Sequence, residues 1–143
     1  LAESLNLVGL LAVEFFVDNN NRLLVNEIAP RPHNSGHHTI ESMMTSQFEQ
    51  HLRAILGLPL GSTKMIMPSV MINLLGESGF SGPVVYEGLQ DCLAIEGVNI
   101  HLYGKKVTRP YRKMGHVTII ASTIEEAIEK AETVRKTLKV KSC

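Results

Sequence analysis

Two glutamates, Glu14 and Glu27, each lie inside an apolar run, and carboxylates are the natural ligands of a hard cation such as magnesium. The runs, residues 10–17 and 23–29, have the composition of the two arms of a β-hairpin, and the turn-rich Asp18-Asn19-Asn20-Asn21-Arg22 joins them. With residues 19–22 as the loop, Asp18 pairs with Leu23, Val17 with Leu24, and Glu14 stands opposite Glu27. Side chains directly opposite have Cβ atoms about 4.5–5.5 Å apart, where two like charges destabilise the sheet. A cation between the carboxylates removes that penalty, and magnesium takes one or two carboxylates plus substrate phosphates. The hairpin therefore reads as half of a metal–nucleotide site. Two plainer readings stay open here: glutamates solvated on the wet face of a sheet, and a register slip that sends them to opposite faces.

Arg31 follows Glu27 in the segment Pro30-Arg31-Pro32-His33-Asn34-Ser35-Gly36-His37-His38, which its prolines and glycine keep out of regular structure. A guanidinium fork suits bidentate capture of a carboxylate, phosphate or bicarbonate, and His33 and Asn34 share the same constrained loop. The plain alternative is an arginine paired with a surface carboxylate. His33, His37 and His38 also raise a zinc reading, against which stand the adjacency of two of them and the lack of a helping cysteine. His37 or His38 is expected to pack at the start of the next helix. A second basic cluster, Arg109-Pro110-Tyr111-Arg112-Lys113-Met114-Gly115-His116, suits a phosphate monoester, with Gly115 allowing close approach of a ligand. It reads equally as a solvated strand edge guarded by cations.

The elements that must position these groups form an α+β pattern. Ser46 and Glu49 make a capping box for a helix through about Leu56, with Phe48, Leu52, Ile55 and Leu56 on one face and Gly57 and Pro59 ending it. Residues 65–75 are strand-like, with Pro68 near the start, and the Gly/Ser/Pro-rich residues 76–83 mark a boundary. Residues 86–93 are short and helix-compatible, residues 99–103 and 116–121 are strands, and Gly104-Lys105 is a turn. Thr123 and Glu126 cap a last helix whose stripe of Ile124, Ala127, Ile128, Ala131 and Val134 is expected to be core.

Composition sets the outer bounds. The 143 residues carry 14 basic and 14 acidic side chains, so there is no bulk attraction to nucleic acid or to an anionic membrane. No apolar run approaches the roughly 20 residues that span a bilayer. The two cysteines, Cys92 and Cys143, form neither a disulfide framework nor a zinc spacing, which favours a reducing cytosol. The sequence opens without Met, its first residues are not expected to be a signal peptide, and residues 1–5 read as the end of a helix. The chain is expected to be the C-terminal part of a longer one, and loss of the upstream part is expected to expose apolar surface.

The string Asn26-Glu27-Ile28-Ala29-Pro30-Arg31-Pro32-His33-Asn34-Ser35-Gly36-His37-His38-Thr39-Ile40-Glu41 closely resembles the signature of the N5-carboxyaminoimidazole ribonucleotide synthetases, ATP-grasp enzymes of purine biosynthesis. Further stretches resemble the same family in the expected order: Thr45-Ser46-Gln47-Phe48-Glu49-Gln50-His51-Leu52-Arg53, His101-Leu102-Tyr103-Gly104-Lys105 and Arg112-Lys113-Met114-Gly115-His116. The resemblance implies the C-terminal portion of an ATP-grasp domain, an antiparallel sheet with helices, over residues 1–75. A small mixed β/α C-terminal domain would follow over residues 76–143.

It also implies a reaction. ATP would phosphorylate bicarbonate to carboxyphosphate, and the amine of 5-aminoimidazole ribonucleotide would capture the carboxyl unit. Glu14 and Glu27 would hold Mg2+ on the ATP phosphates, and Asn26 with Glu27 would line the nucleotide site. Arg31, His33 and Asn34 would hold bicarbonate or carboxyphosphate, and Lys113 with Arg112 would meet the ribonucleotide near its phosphate. Arg31, His33 and Lys113 are the implied catalytic residues. Many ATP-grasp enzymes carry an asparagine two residues after the second glutamate as a third metal ligand; Ala29 stands there, leaving Asn26, Asn34 or water to complete the shell. The glycine-rich phosphate loop and most adenine contacts would lie upstream, so the fragment alone is expected to be inactive. The implied whole is a cytoplasmic homodimer that binds neither nucleic acid nor membrane. Other readings are a different ATP-grasp carboxylating or amide-forming ligase, such as a biotin carboxylase or glycinamide ribonucleotide synthetase relative, and a nucleotide-binding module without chemistry.

Overall fold

Apolar, β-prone residues on either side of the asparagine run fold back on one another. In the computed structural model, which describes residues 1–143, they form an antiparallel hairpin of β1 (Ala12–Val17) and β2 (Leu23–Ala29). Asp18 builds the turn: one carboxylate oxygen accepts from the Asn20 and Arg22 N–H groups at 2.8 and 2.9 Å, and the other accepts from Arg22 Nε at 2.7 Å. Asn21, at φ 59°, supplies the left-handed residue such a loop needs.

The hydrogen bonds from Arg22, backbone first and then side chain, hold the Asp18 carboxyl below the usual aspartate value. A depressed folded-state pKa means that this stabilisation is complete above the unfolded value and is lost as pH falls through the folded one. Protection of the Asn20 and Arg22 amides against hydrogen exchange is therefore expected to weaken below about pH 3.9, the ordinary aspartate pKa. Protection that held unchanged to roughly pH 2 would show that the carboxylate does not carry the turn.

The hairpin belongs to the first of two units, Leu1–Met65. Ahead of it, Leu5 N–H bonds the Leu1 carbonyl and Leu7 N–H the Ala2 carbonyl, each at 3.0 Å, and Asn6 at φ 48° ends this single helical turn. After it, Pro30 and Pro32 keep the chain irregular as expected, but Asn34–Gly36 closes a 3-10 turn and Thr39–Ser42 forms the short helix α1. Helix α2 (Gln47–Ile55) begins at the expected cap, where Ser46 Oγ accepts from the Glu49 N–H at 3.2 Å. Its face of Phe48, Leu52, Ile55 and Leu56 is exposed, as are Phe15, Phe16, Leu23 and Leu24 on the hairpin.

The second unit, Ile66–Cys143, has its own core. One antiparallel sheet runs in the order β3 (Ser69–Leu75), β7 (Lys113–Ile120), β5 (Val98–Leu102). A second joins β6 (Val107–Thr108), β4 (Gly82–Glu87) and β8 (Lys139–Ser142). Helix α3 (Leu89–Leu93) follows β4, and α4 (Ile124–Thr137) precedes β8. Met114, Val117, Ile119, Val134 and Val140 are fully buried among them.

Several expectations change here. Because β3 is hydrogen-bonded along β7, the boundary falls after Met65 rather than after Leu75, and the glycine-rich segment from Gly76 is a connection inside the second unit. Residues 82–87, partly assigned above to a connector and partly to a helix, form a strand held between β6 and β8. In α4, Ala127, Ala131 and Val134 are buried, whereas Ile124 and Ile128 are 42% and 50% exposed, so the core stripe is narrower than its spacing implies.

Candidate functional site

Glu14 does stand opposite Glu27, but by a different route from the one the loop length implied. Next to the turn, Val17 pairs with Leu23, Phe16 with Leu24 and Phe15 with Val25, an offset of one residue from the expected register. The register shifts between Glu14 and Phe15, so Asn26 is an extra, bulged residue. In an unbulged strand Glu27 would share a face with Val25 and point away from Glu14. The bulge reverses that phase and brings Asn26 onto the site as well: its Nδ2 donates to Glu14 Oε2 at 3.1 Å.

His33 completes the cluster. Its Nε2 lies 3.1 Å from Glu14 Oε1 and 3.7 Å from Glu27 Oε1, with the side chain only 11% exposed. Ser35 N–H points at His33 Nδ1 from 3.4 Å, so Nδ1 accepts and the ring proton sits on Nε2, aimed at Glu14. In that tautomer His33 is a donor to the carboxylate rather than a metal ligand. One ligand atom from each of Glu14, Glu27 and His33 lies within 4.8 Å of the others. Two carboxylates converging on one point suit a hard divalent cation, and the donor set fits magnesium better than zinc, which favours nitrogen and sulfur.

The other histidines go elsewhere, as expected. His38 precedes α1 and bonds Ser42 Oγ at 2.9 Å, and His37 stacks on Phe48 with ring centroids 5.5 Å apart. Arg31 is exposed, and its Nη1 donates to the Pro32 carbonyl at 3.1 Å, leaving most of its fork open to an anion. Asn34 opens the 3-10 turn, its carbonyl accepting from the His37 N–H at 3.1 Å. The group that sequence reasoning passed over is Gln47, noted above only as one letter of a resembling block, although it bonds the His33 main chain on both sides.

Arg112 and Lys113 belong to the second unit. Lys113 is the exposed first residue of β7, and Arg112 Nη1 donates to the Val107 carbonyl at 2.8 Å. Lys105 was also missed: its ammonium donates to the Lys113 carbonyl and lies 5.7 Å from the centre of the Tyr103 ring. The turn at Gly104-Lys105 thus brings a third cation to the pair. Gly115 serves the sheet rather than a ligand, since a Cβ there would stand 2.3 Å from the His101 carbonyl oxygen on β5. Tyr103 Oη lies 3.1 Å from His116 Nδ1, and burial pushes its phenol pKa up.

Known proteins place both units. The ATP-grasp domain family matches residues 1–48, and the phosphoribosylaminoimidazole carboxylase C-terminal domain family matches residues 69–130. The N5-carboxyaminoimidazole ribonucleotide synthase of Aquifex aeolicus (strain VF5) is 46% identical over 139 residues, which are 97% of this chain and 36% of that protein. The crystal structure of N5-carboxyaminoimidazole ribonucleotide synthetase from Thermotoga maritima is 57% identical with a TM-score of 0.92, over 99% of this chain and 39% of that one. This chain belongs to the N5-carboxyaminoimidazole ribonucleotide synthetase family.

The mixed sheet-and-helix fold expected from the resemblance is the fold of these synthetases. The chain spans 36% of the length of the curated Aquifex synthase it matches. The Aspergillus clavatus synthase, solved in complex with ADP and 5-aminoimidazole ribonucleotide, shares 38% identity and a TM-score of 0.76 over 90% of this chain and 34% of that one. No helix here is long and apolar enough to cross a membrane.

Proposed function

We propose that the full-length protein is an ATP-grasp carbon–nitrogen ligase, which carboxylates 5-aminoimidazole ribonucleotide with bicarbonate by way of carboxyphosphate. N5-carboxyaminoimidazole ribonucleotide, ADP and phosphate are the products. The observation that carries this reading is the convergence of Glu14, Asn26, Glu27 and His33 at the bulge of one hairpin, with the exposed Arg31 two residues before His33 in the same loop. Identity of 46% to a named synthase supports the choice of substrate.

Phosphoryl transfer needs mainly positioning and charge neutralisation. Glu14 and Glu27 would hold Mg2+, which supplies the charge that neutralises the ATP phosphates when bound. Asn26 keeps the Glu14 carboxylate turned toward that point through its 3.1 Å hydrogen bond. Arg31 captures the bicarbonate oxygens with its fork, Asn34 shares that anion, and His33 presents its Nε2 proton at the edge of the carboxylates. In the second unit, Arg112 and Lys113, with Lys105, offer fixed cations to the phosphate of the ribonucleotide. Carboxyphosphate hydrolyses readily, so a site that excludes water avoids a wasteful side reaction. A cytoplasmic homodimer is read from the family resemblance.

The test is phosphate release by the full-length protein with ATP, magnesium and bicarbonate, with and without 5-aminoimidazole ribonucleotide. Stimulation by the ribonucleotide establishes the ligase. Its absence sends the search to the acceptors of other ATP-grasp ligases, or to a binding module with no turnover.

A further inference from the structure

The loop that presents Arg31, His33 and Asn34 is held by a residue outside it. Gln47 opens α2, and its side-chain amide lies alongside the His33 peptide group: Oε1 accepts from the His33 N–H at 2.9 Å, and Nε2 donates to the His33 carbonyl at 2.8 Å. A backbone N–H only donates, so the amide orientation is forced, with oxygen facing that hydrogen. Nε2 also faces His37 Nδ1 at 2.7 Å, which must therefore accept, and the His37 ring carries its proton on Nε2. The bracket is itself anchored: Gln47 N–H donates to Thr39 Oγ1 at 2.9 Å, and that hydroxyl donates to the Gly36 carbonyl. Gly36 leaves the room it needs, since a Cβ there would stand 2.5 Å from Gln47 Oε1.

We propose that Gln47 is a positioning residue of the candidate site. Its amide clamps the His33 main chain, and so sets where the His33 ring meets Glu14 and how Arg31 and Asn34 are offered to an anion. The proposal rests on the ligase reading given above. No other side chain bonds the His33 peptide on both sides, and the glutamine lies 14 residues away in sequence, so the clamp is a tertiary device and not a local turn.

The experiment measures bicarbonate-dependent phosphate release by the full-length protein carrying Gln47→Leu, Gly36→Ala or both, beside Arg31→Ala. Gln47→Leu is expected to lower kcat about 100-fold, the cost of roughly 1 Å of misplacement, with the KM for ATP within about threefold. Gly36→Ala keeps the glutamine but displaces its oxygen, and is expected to give the same split between kcat and KM. Because both changes act on one clamp, the double variant should lose little beyond the worse single one. Should Gln47→Leu fail to fold, Gly36→Ala carries the test alone. If Gln47→Leu retains kcat within about threefold while Arg31→Ala abolishes release, or if the two losses simply multiply, the positioning role is wrong and the ligase stands.

If the unvaried protein shows no bicarbonate-dependent release, the ligase reading fails, and the clamp is judged by 15N spectra of the histidine rings. A His37 tautomer that is lost in Gln47→Leu keeps the clamp, and one that persists removes it.

Discussion

Glu27→Gln in the full-length protein is expected to cut ribonucleotide-stimulated phosphate release by about 1,000-fold while leaving the hairpin as stable as before, or slightly more so. The two effects have opposite signs because the carboxylate serves the ligand at the expense of the sheet. Glu14 and Glu27 are directly paired across the strands, and like charges so placed destabilise by a few tenths of a kcal/mol up to about 1. Removing one charge relieves that repulsion. The same charge, in a metal site, supplies several kcal/mol of transition-state stabilisation, and about 4 kcal/mol corresponds to three powers of ten in rate. Manganese(II) binding followed by water relaxation gives a second readout, with affinity expected to fall at least about tenfold. A Glu27→Gln protein that kept its metal affinity and most of its phosphate release would place the cation elsewhere.

Arg31→Ala is expected to lose bicarbonate-dependent phosphate release by about 100- to 1,000-fold, the usual cost of deleting one donor aimed at developing charge. Stability should hardly change. The guanidinium is exposed and gives one hydrogen bond, to the neighbouring Pro32 carbonyl, and surface changes of that kind usually stay within about 0.5 kcal/mol. Arg31→Lys separates charge from geometry. It keeps the cation and loses the planar fork, so an intermediate rate identifies bidentate capture, whereas full activity reduces Arg31 to a point charge. The comparison also divides the enzyme reading from that of a binding module, which has no turnover to lose. A loss of thermal stability in step with activity would instead make Arg31 a structural residue.

What could be read without coordinates was chemistry satisfied close by in sequence. The Ser46–Glu49 and Thr123–Glu126 caps are visible because an oxygen and the N–H it accepts lie three residues apart, at 3.2 Å in both cases. The hairpin was legible because β-prone apolar arms flank residues that favour turns, whereas the facing of Glu14 and Glu27 rests on the bulge and not on the register that pattern implied. The resemblance of four blocks gave the family for the same reason: motifs are strings.

Tertiary structure decided the rest. Nothing in the string Val25-Asn26-Glu27 announces a bulge, since any residue can be the extra one and only the pairing of both strands shows which is left over. Strand β3 joined the second unit because its hydrogen-bonding partner, β7, lies far along the chain, while local composition placed the break at the glycine-rich segment. The short strands β6 and β8 carry little pattern of their own and exist because β4 offers each of them an edge. Gln47 is the sharpest case. As a residue in the first turn of a helix it looks like any polar surface position, and only folding brings its amide against a peptide group 14 residues away. The sequence determined which groups are available and the turns and caps they make nearby. The fold determined which of them meet, because contacts between distant residues depend on the packing of whole elements and leave no short-range mark.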